Sequence, residues 1–459
     1  MTLLAAFMGI VQKWECVFPQ KRSFDRAVRQ SLGALVCLGR RTLTRIIWTN
    51  GGQNHSWSAE YFLHSRCKWD PQKLFTPILE QGIALCRGRY IGAAADDTRL
   101  HKTGRCIKQA FYQHDPLSPP FHANLMLGLR FLQISLLAPL YNRSNVGTRA
   151  LPVRFQEASR VKRPGRKAAA EDWKRYRAAA KKHNLSTQFV DMTRGLRQTL
   201  DEIGASHKIL VMAVDGSFCN RTVFRASFNK TEIVARTRKD AVLCFPASTA
   251  SRRYYDTHKF TPESVRQDES IPWKKTKIFY GGKRRPVRYK VVSQVLWQGG
   301  ARRRNLRLIV VAPTPYRKRK SAKLYYRQPA YLLTTDLKAH AHTLLQIYFD
   351  RWQIEVNHRE EKDTLGVGQA QLWNQVSVPK QPVLAVASYS ALLLASLQAF
   401  GPERGTAYAP LPKWRRKARR PSCLDLIALL RKELLEHPDL TAHLHINPTA
   451  EGFTSAAAA

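Results

Sequence analysis

The sequence predicts an α/β fold, and three observations carry that prediction. Two apolar runs, Arg89–Ala95 and Lys208–Val214, read as buried strands, and acids stand at their ends: Asp96-Asp97 after the first and Asp215 after the second. Stretches with apolar residues at helical spacing flank them, among them FDRAVRQSLGALVCLGRRTLTRIIW near the N-terminus. A block at 241–330 instead alternates apolar and polar residues, as in Tyr289–Trp297 and Leu306–Val311, between basic turns such as GGKRR and GGARRR.

Taken in order, residues 1–85 read as mostly helical and basic. The first part of the α/β core spans 86–240. It holds the two acid-ended strands, further strand-like runs at Cys106–His114 and Leu125–Leu137, and a basic segment at 154–183 that begins as a loop, with Pro164-Gly165, and continues as a helix to about Leu200. Glu232–Arg238 is less apolar and reads as an edge strand. The β-rich block occupies 241–328. In 329–400, Tyr331–Thr334 is one more strand, and Asp336 reads as the N-cap of one long helix ending near Thr364. The apolar run Val383–Phe400 is long enough to suggest a membrane span, but its serines, Tyr389 and Gln398 point to a buried core helix. Residues 401–459 form a basic region: the linker KWRRKARRP, an amphipathic helix at Leu424–Leu435, and a tail at Ala456–Ala459 that reads as frayed.

Composition narrows the function. Lys and Arg number 76 against 33 Asp and Glu, a net charge of +43, while 44% of residues are hydrophobic. The chain has material for a core, and its charge fits a polyanionic partner, nucleic acid before an anionic membrane. Basic blocks at Arg160–Lys182, Lys274–Arg288, Arg302–Arg307 and Arg317–Lys323 have Trp173, Tyr176, Trp273, Tyr280 and Tyr289 in or beside them and together favour a DNA track. The eight cysteines form no C-x-x-C pair, so they read as reduced thiols of a cytosolic protein. The apolar N-terminus lacks a basic leader and a small-residue cleavage site and does not read as a signal peptide.

The stretch 336–364 carries the most chemistry. With Tyr348 at zero and steps of about 100°, Arg351, Glu355 and Lys362 fall at about 300°, 340° and 320°, on one helical face. By itself this is an ordinary solvated face with an Arg–Glu pair. Two strand-end aspartates change the weighing, because an acid ending a buried strand is costly unless paired or metal-bound. Two aspartates and a glutamate from separate elements suit two hard divalent ions, which serve in-line phosphoryl displacement.

Tyr348-x2-Arg351-x3-Glu355-x6-Lys362, within YFDRWQIEVNHREEK, resembles the Y-R-E-K signature of bacterial insertion-sequence DDE transposases of the insertion-sequence-four superfamily. Ala94-Ala-Asp-Asp97-Thr98 is similar to the family's first-aspartate segment, and Val214-Asp215-Gly-Ser-Phe218 to its second. Gly216-Ser217 departs from the Arg-Gly or Arg-Glu expected there. The resemblance covers about 90–400. It implies a ribonuclease-H-like, retroviral-integrase-like catalytic core interrupted by the β-rich insertion and preceded by a helical DNA-binding region. It implies that Asp97, rather than Asp96, joins Asp215 and Glu355 in holding two Mg²⁺ ions, with Mn²⁺ able to substitute. Tyr348, Arg351 and Lys362 would contact DNA. Tyr331 or Trp297 would stack a flipped base where a hairpin forms, although core packing is the commoner role for either ring. His358 reads chiefly as a polar surface residue, with contact to DNA or metal as the lesser reading. The implied activity is cleavage of double-stranded DNA at element ends and joining of the 3′-hydroxyl to target DNA. The implied setting is a homodimer on DNA in the bacterial cytoplasm, away from membranes. A DNA-end-binding protein without catalysis, or a ribonuclease-H-like nuclease without strand transfer, are the alternatives.

Overall fold

The computed structural model describes residues 1–446 apart from 55, 105, 116, 117, 120, 123, 143, 320, 416 and 417, so the tail at Ala456–Ala459 and part of KWRRKARRP lie outside the described residues. Five helices come first: α1 (Leu3–Gln12), α2 (Lys21–Val36), α3 (Leu43–Thr49), α4 (Trp57–Ser65) and α5 (Thr76–Ile83). Four strands follow: β1 (Tyr90–His101), β2 (Phe111–His114), β3 (Leu125–Ala138) and β4 (Arg149–Glu157). Helices α6 (Ala170–Lys182) and α7 (Leu185–Glu202) are separate, because the Asn184 side chain accepts the Thr187 N–H and starts a new helix. Then come β5 (Ile209–Val214), α8 (Arg221–Phe224), β6 (Thr231–Arg236), β7 (Leu243–Pro246), β8 (Tyr255–Phe260), α9 (Pro262–Gln267), β9 (Lys274–Tyr280), β10 (Lys283–Leu296), α10 (Gln298–Ala301) and β11 (Asn305–Val311). The short pair β12 (Pro315–Tyr316) and β13 (Tyr325–Tyr326) precedes β14 (Ala330–Thr334). The chain ends in helices α11 (Ala341–Asp350), α12 (Gln353–Arg359), α13 (Ser377–Phe400) and α14 (Cys423–Glu436).

The chain forms two compact units. One comprises 1–85, 97–160 and 354–459; the other comprises 86–96 and 161–353. In the first, β3 pairs antiparallel with β2 and β4. The apolar helix α13 is buried among α1, α2 and β4, as expected of a core helix, with Leu392 and Leu393 fully covered. It is long and apolar enough to cross a membrane, and most of its side chains are buried within the unit. In the second unit, β1 pairs parallel with β5 and β5 with β6; then β6–β14–β11–β10 continue antiparallel, with β9 and β7 both on β10 and β8 on β7.

Four expectations are corrected. Strand β1 does not stop at its acids but runs on to His101, so Asp96 and Asp97 stand mid-strand. Residues 154–157 belong to β4 rather than to a basic loop, and the Arg149 and Arg154 side chains are buried there, each donating to a backbone carbonyl. β6 is central, not an edge: it pairs on both sides, Ile233, Val234 and Ala235 are fully covered, and the Thr335 hydroxyl donates to Glu232. The stretch 336–364 is not one helix. Asp336 accepts the Lys338 and Ala339 N–H groups in a turn, α11 starts at Ala341, and a turn at Arg351-Trp352 separates α11 from α12.

Candidate active site

The second unit gathers Asp215, Tyr348, Arg351, Arg236 and Asp96. Asp215 directly follows β5, and its carboxylate accepts the Ser217 N–H at 3.0 Å and the Ser217 hydroxyl at 2.6 Å. The serine at the departing position thus fixes the aspartate in an Asx-type turn. Burial raises the Tyr348 hydroxyl above its usual value; Arg351 and Arg236 act against this, and Asp215 adds to it. Arg351, Arg236 and Asp215 thus all act on the Tyr348 hydroxyl. Arg351 Nη1 lies 3.9 Å from Asp96 Oδ2.

Parity along β1 bears on which aspartate faces this group. The parallel register ends with Ala94 paired to Ala213; continued two residues further it would set Asp96 beside Asp215. Paired residues share a face, and neighbours along a strand alternate. A Cβ on Gly92 would lie 3.1 Å from Ile347 of α11, so positions 92, 94 and 96 face that helix.

The first unit holds Asp97, Glu355 and Lys362. Asp97 is gripped bidentately by Arg130, Nε to Oδ2 at 2.7 Å and Nη2 to Oδ1 at 2.9 Å. Glu355, half-buried on α12, lies four residues beyond Arg351 in the sequence. Asn357 anchors α12: its side chain donates to the Ala150 carbonyl and the Tyr389 hydroxyl, both at 3.1 Å, and accepts the Ser135 hydroxyl at 3.0 Å. His358 is not a surface residue. It is buried, with Nδ1 3.3 Å from Glu361. After α12 the helix widens to a π-turn at Glu360–Thr364, closed by Leu365 N–H donating to Glu360 at 2.9 Å, and Lys362 sits in that turn. The regular 100° step therefore does not extend to Lys362.

A cavity of about 930 Å³ opens beside Asp215, lined by Gly216, Arg236, Arg238, Trp297 and Tyr331 among others. Tyr331 is buried in its wall and its hydroxyl donates to Glu263, which also pairs with Arg266. Arg266 and then Tyr331 hold the Glu263 carboxyl down at about 2; burial and then Glu263 push the Tyr331 hydroxyl up to about 12. Sequence reasoning missed Arg236, Arg130 and Ser217. Ser217 alone left a signal, as the departure beside Asp215.

Among the described residues no three His, Cys, Asp or Glu side chains gather closely enough to hold a metal ion. The donor chemistry nevertheless fits one. Carboxylate oxygens are hard ligands for Mg²⁺, and the aspartates of β1 already attract cationic groups, Arg351 at Asp96 and Arg130 at Asp97.

An α/β nuclease is the class of protein that these features outline. Residues 15–304, more than half of the chain, match the DDE superfamily endonuclease family, and the chain belongs to that family. Its members are transposase-type nucleases that act on DNA and typically use divalent metal ions. The match includes Asp96, Asp97 and Asp215 and ends before Tyr348. No curated protein matches the chain.

Proposed function

We propose that the protein is a DDE transposase that cuts double-stranded DNA at the ends of an insertion sequence and joins the freed 3′-hydroxyl to target DNA. On this reading the core is ribonuclease-H-like, and the chain acts as a homodimer. Asp215 and one aspartate of β1, with Glu355 as the third acid that the resemblance implies, would hold the Mg²⁺ ions. We assign that first ligand to Asp96 rather than Asp97. What carries the assignment is Arg351 beside Asp96, together with the β1–β5 register continued two residues past its last pair, Ala94 with Ala213. Asp97 then serves as the anchor of Arg130.

The ions, when bound, supply an activated water or hydroxyl and offset charge on the phosphoryl oxygens. The chain's own groups position the strand. Arg351 exchanges Asp96 for a phosphate, which a guanidinium holds bidentately. Tyr348, its hydroxyl kept protonated by burial, donates to a neighbouring phosphate oxygen. Arg236, which acts on Tyr348, adds charge there, and Lys362 contacts the strand as a point charge. Trp297, half-buried in the wall of the cavity beside Asp215, is the ring for an unstacked base, because Tyr331 is buried and engaged with Glu263.

The test is cleavage of a labelled duplex carrying the gene's own flanking repeat, in Mg²⁺. Metal ligation is worth several kcal/mol, so Asp96→Asn, Asp215→Asn and Glu355→Gln are each expected to lose at least about a hundredfold in rate. Asp97→Asn is expected to retain cutting. Loss in Asp97→Asn with retention in Asp96→Asn reverses the assignment of the first ligand. Tight binding without cutting by the unaltered protein overturns the catalytic reading.

A further inference from the structure

Residues 270–335 contain 18 Lys and Arg and no Asp or Glu. Within this stretch β9 and β10 form a hairpin whose register puts Lys275 directly opposite Arg288, Lys277 opposite Pro286 and Phe279 opposite Arg284. These positions share one face of the hairpin. The other face is occupied by α11: Thr276 meets His342 at 2.8 Å, and the Tyr280 ring lies 5.1 Å from that of Phe349. Lys275, Lys277, Arg284 and Arg288 are all exposed. Arg288 also lies over the Trp273 ring, 5.6 Å from its centroid. Like charges directly across an antiparallel pair destabilise it, and no acid within the stretch offsets Lys275 against Arg288. A polyanion lying on the pair would offset that repulsion.

We infer that this face of the β9–β10 hairpin is a phosphate track that binds the backbone of duplex DNA, one cation to one phosphate, without reading sequence. The inference rests on DNA being the substrate and names the surface that holds it. A strand advances about 3.3 Å per residue, so Lys275 and Lys277 stand about 7 Å apart along β9, and Arg284 and Arg288 about 13 Å apart along β10. Four cations thus follow a polymer that carries one charge per about 1.7 Å of duplex.

The experiment measures affinity of the full chain for a 40-base-pair duplex against salt, by fluorescence anisotropy in EDTA, so that no cutting occurs. The quadruple variant Lys275→Gln/Lys277→Gln/Arg284→Gln/Arg288→Gln is expected to lower the slope of log K against log salt by about 3 to 4. A control, Lys13→Gln/Lys21→Gln/Lys432→Gln, changes exposed lysines that face acids of their own and is expected to leave the slope nearly unchanged. Lys275→Glu sets an acid opposite Arg288. It is expected to raise Tm while weakening DNA binding, two opposite movements that a purely structural role would not give. A wild-type slope in the quadruple variant overturns the track, as does an equal loss in the control. Retained DNA binding with loss of binding to an RNA duplex or to phosphatidylserine vesicles overturns the choice of partner. A changed slope in a protein that does not cut in Mg²⁺ removes the transposase reading and keeps the track; cutting with an unchanged slope does the reverse.

Discussion

Asp215 could be read from the chain because the apolar run Lys208–Val214 ends where β5 ends, and the acid follows at once. Asp96 and Asp97 could not be separated in the same way. The apolar run stops at Ala95, but hydrogen bonding carries the strand on to His101, and only the pairing partner fixes which way each side chain faces. Partners distant in sequence, such as Arg130 for Asp97, leave no local signal. Glu157, at the end of β4, shows the same dependence on surroundings. Burial pushes its carboxyl up to about 7. Between the ordinary carboxylate value and that value the folded chain holds a proton that the unfolded chain has lost. Glu157 therefore costs stability as pH rises from about 4.5 toward 7, and the cost is full above 7. Glu157→Gln is expected to flatten this fall and to raise Tm by at least about 2 °C at pH 8, with no gain at pH 4, measured by thermal unfolding across that range.

At the scale of elements, periodicity found most helices and failed where a break leaves the apolar pattern intact. Leu344, Leu345, Ile347 and Ile354 keep helical spacing through the turn at Arg351-Trp352, so the interruption was not visible. β4 was hidden for the opposite reason: its buried arginines made a strand look like a basic loop. Burial of those side chains is made possible by backbone carbonyls, which sequence spacing does not reveal. Helix α12 depends on one amide. Asn357→Ala removes both donors and the acceptor at once and leaves the Ala150 carbonyl and Ser135 hydroxyl buried with fewer partners. The expected loss is about 2 kcal/mol in urea unfolding. It should come with a fall in cutting rate, since the same helix carries Glu355. Asn357→Asp, which keeps the acceptor for Ser135 but turns a buried carboxylate oxygen toward the Ala150 carbonyl, should lose more than Ala.

For the molecule as a whole, charge is the dominant long-range force. A net +43 is self-repulsive, and screening shortens its reach from about 10 Å at 0.1 M salt to about 3 Å at 1 M. Tm of the free protein is therefore expected to rise between about 0.05 and 0.5 M NaCl, while DNA affinity falls over the same range. Parallel thermal unfolding and binding titrations check the pair of trends, and a Tm that falls with salt would place the stabilising ion pairs above the repulsion. The β-rich block was legible at this scale because alternation and basic turns persist over many residues. The two compact units were not, because each joins segments far apart in the sequence, and β1 passes from one to the other between Asp96 and Asp97.

The doublet of acids on β1 has an evolutionary consequence. A single-residue insertion or deletion upstream in the strand turns every later side chain to the opposite face. In most strands that would remove a carboxylate from its place. Here the shift hands the position of one aspartate to the other, so the strand tolerates a one-residue slip in one direction without presenting a neutral side chain there. Loss of one residue between Tyr90 and Ala95 thus keeps an acid at that place while bringing Thr98 to where Asp97 meets Arg130.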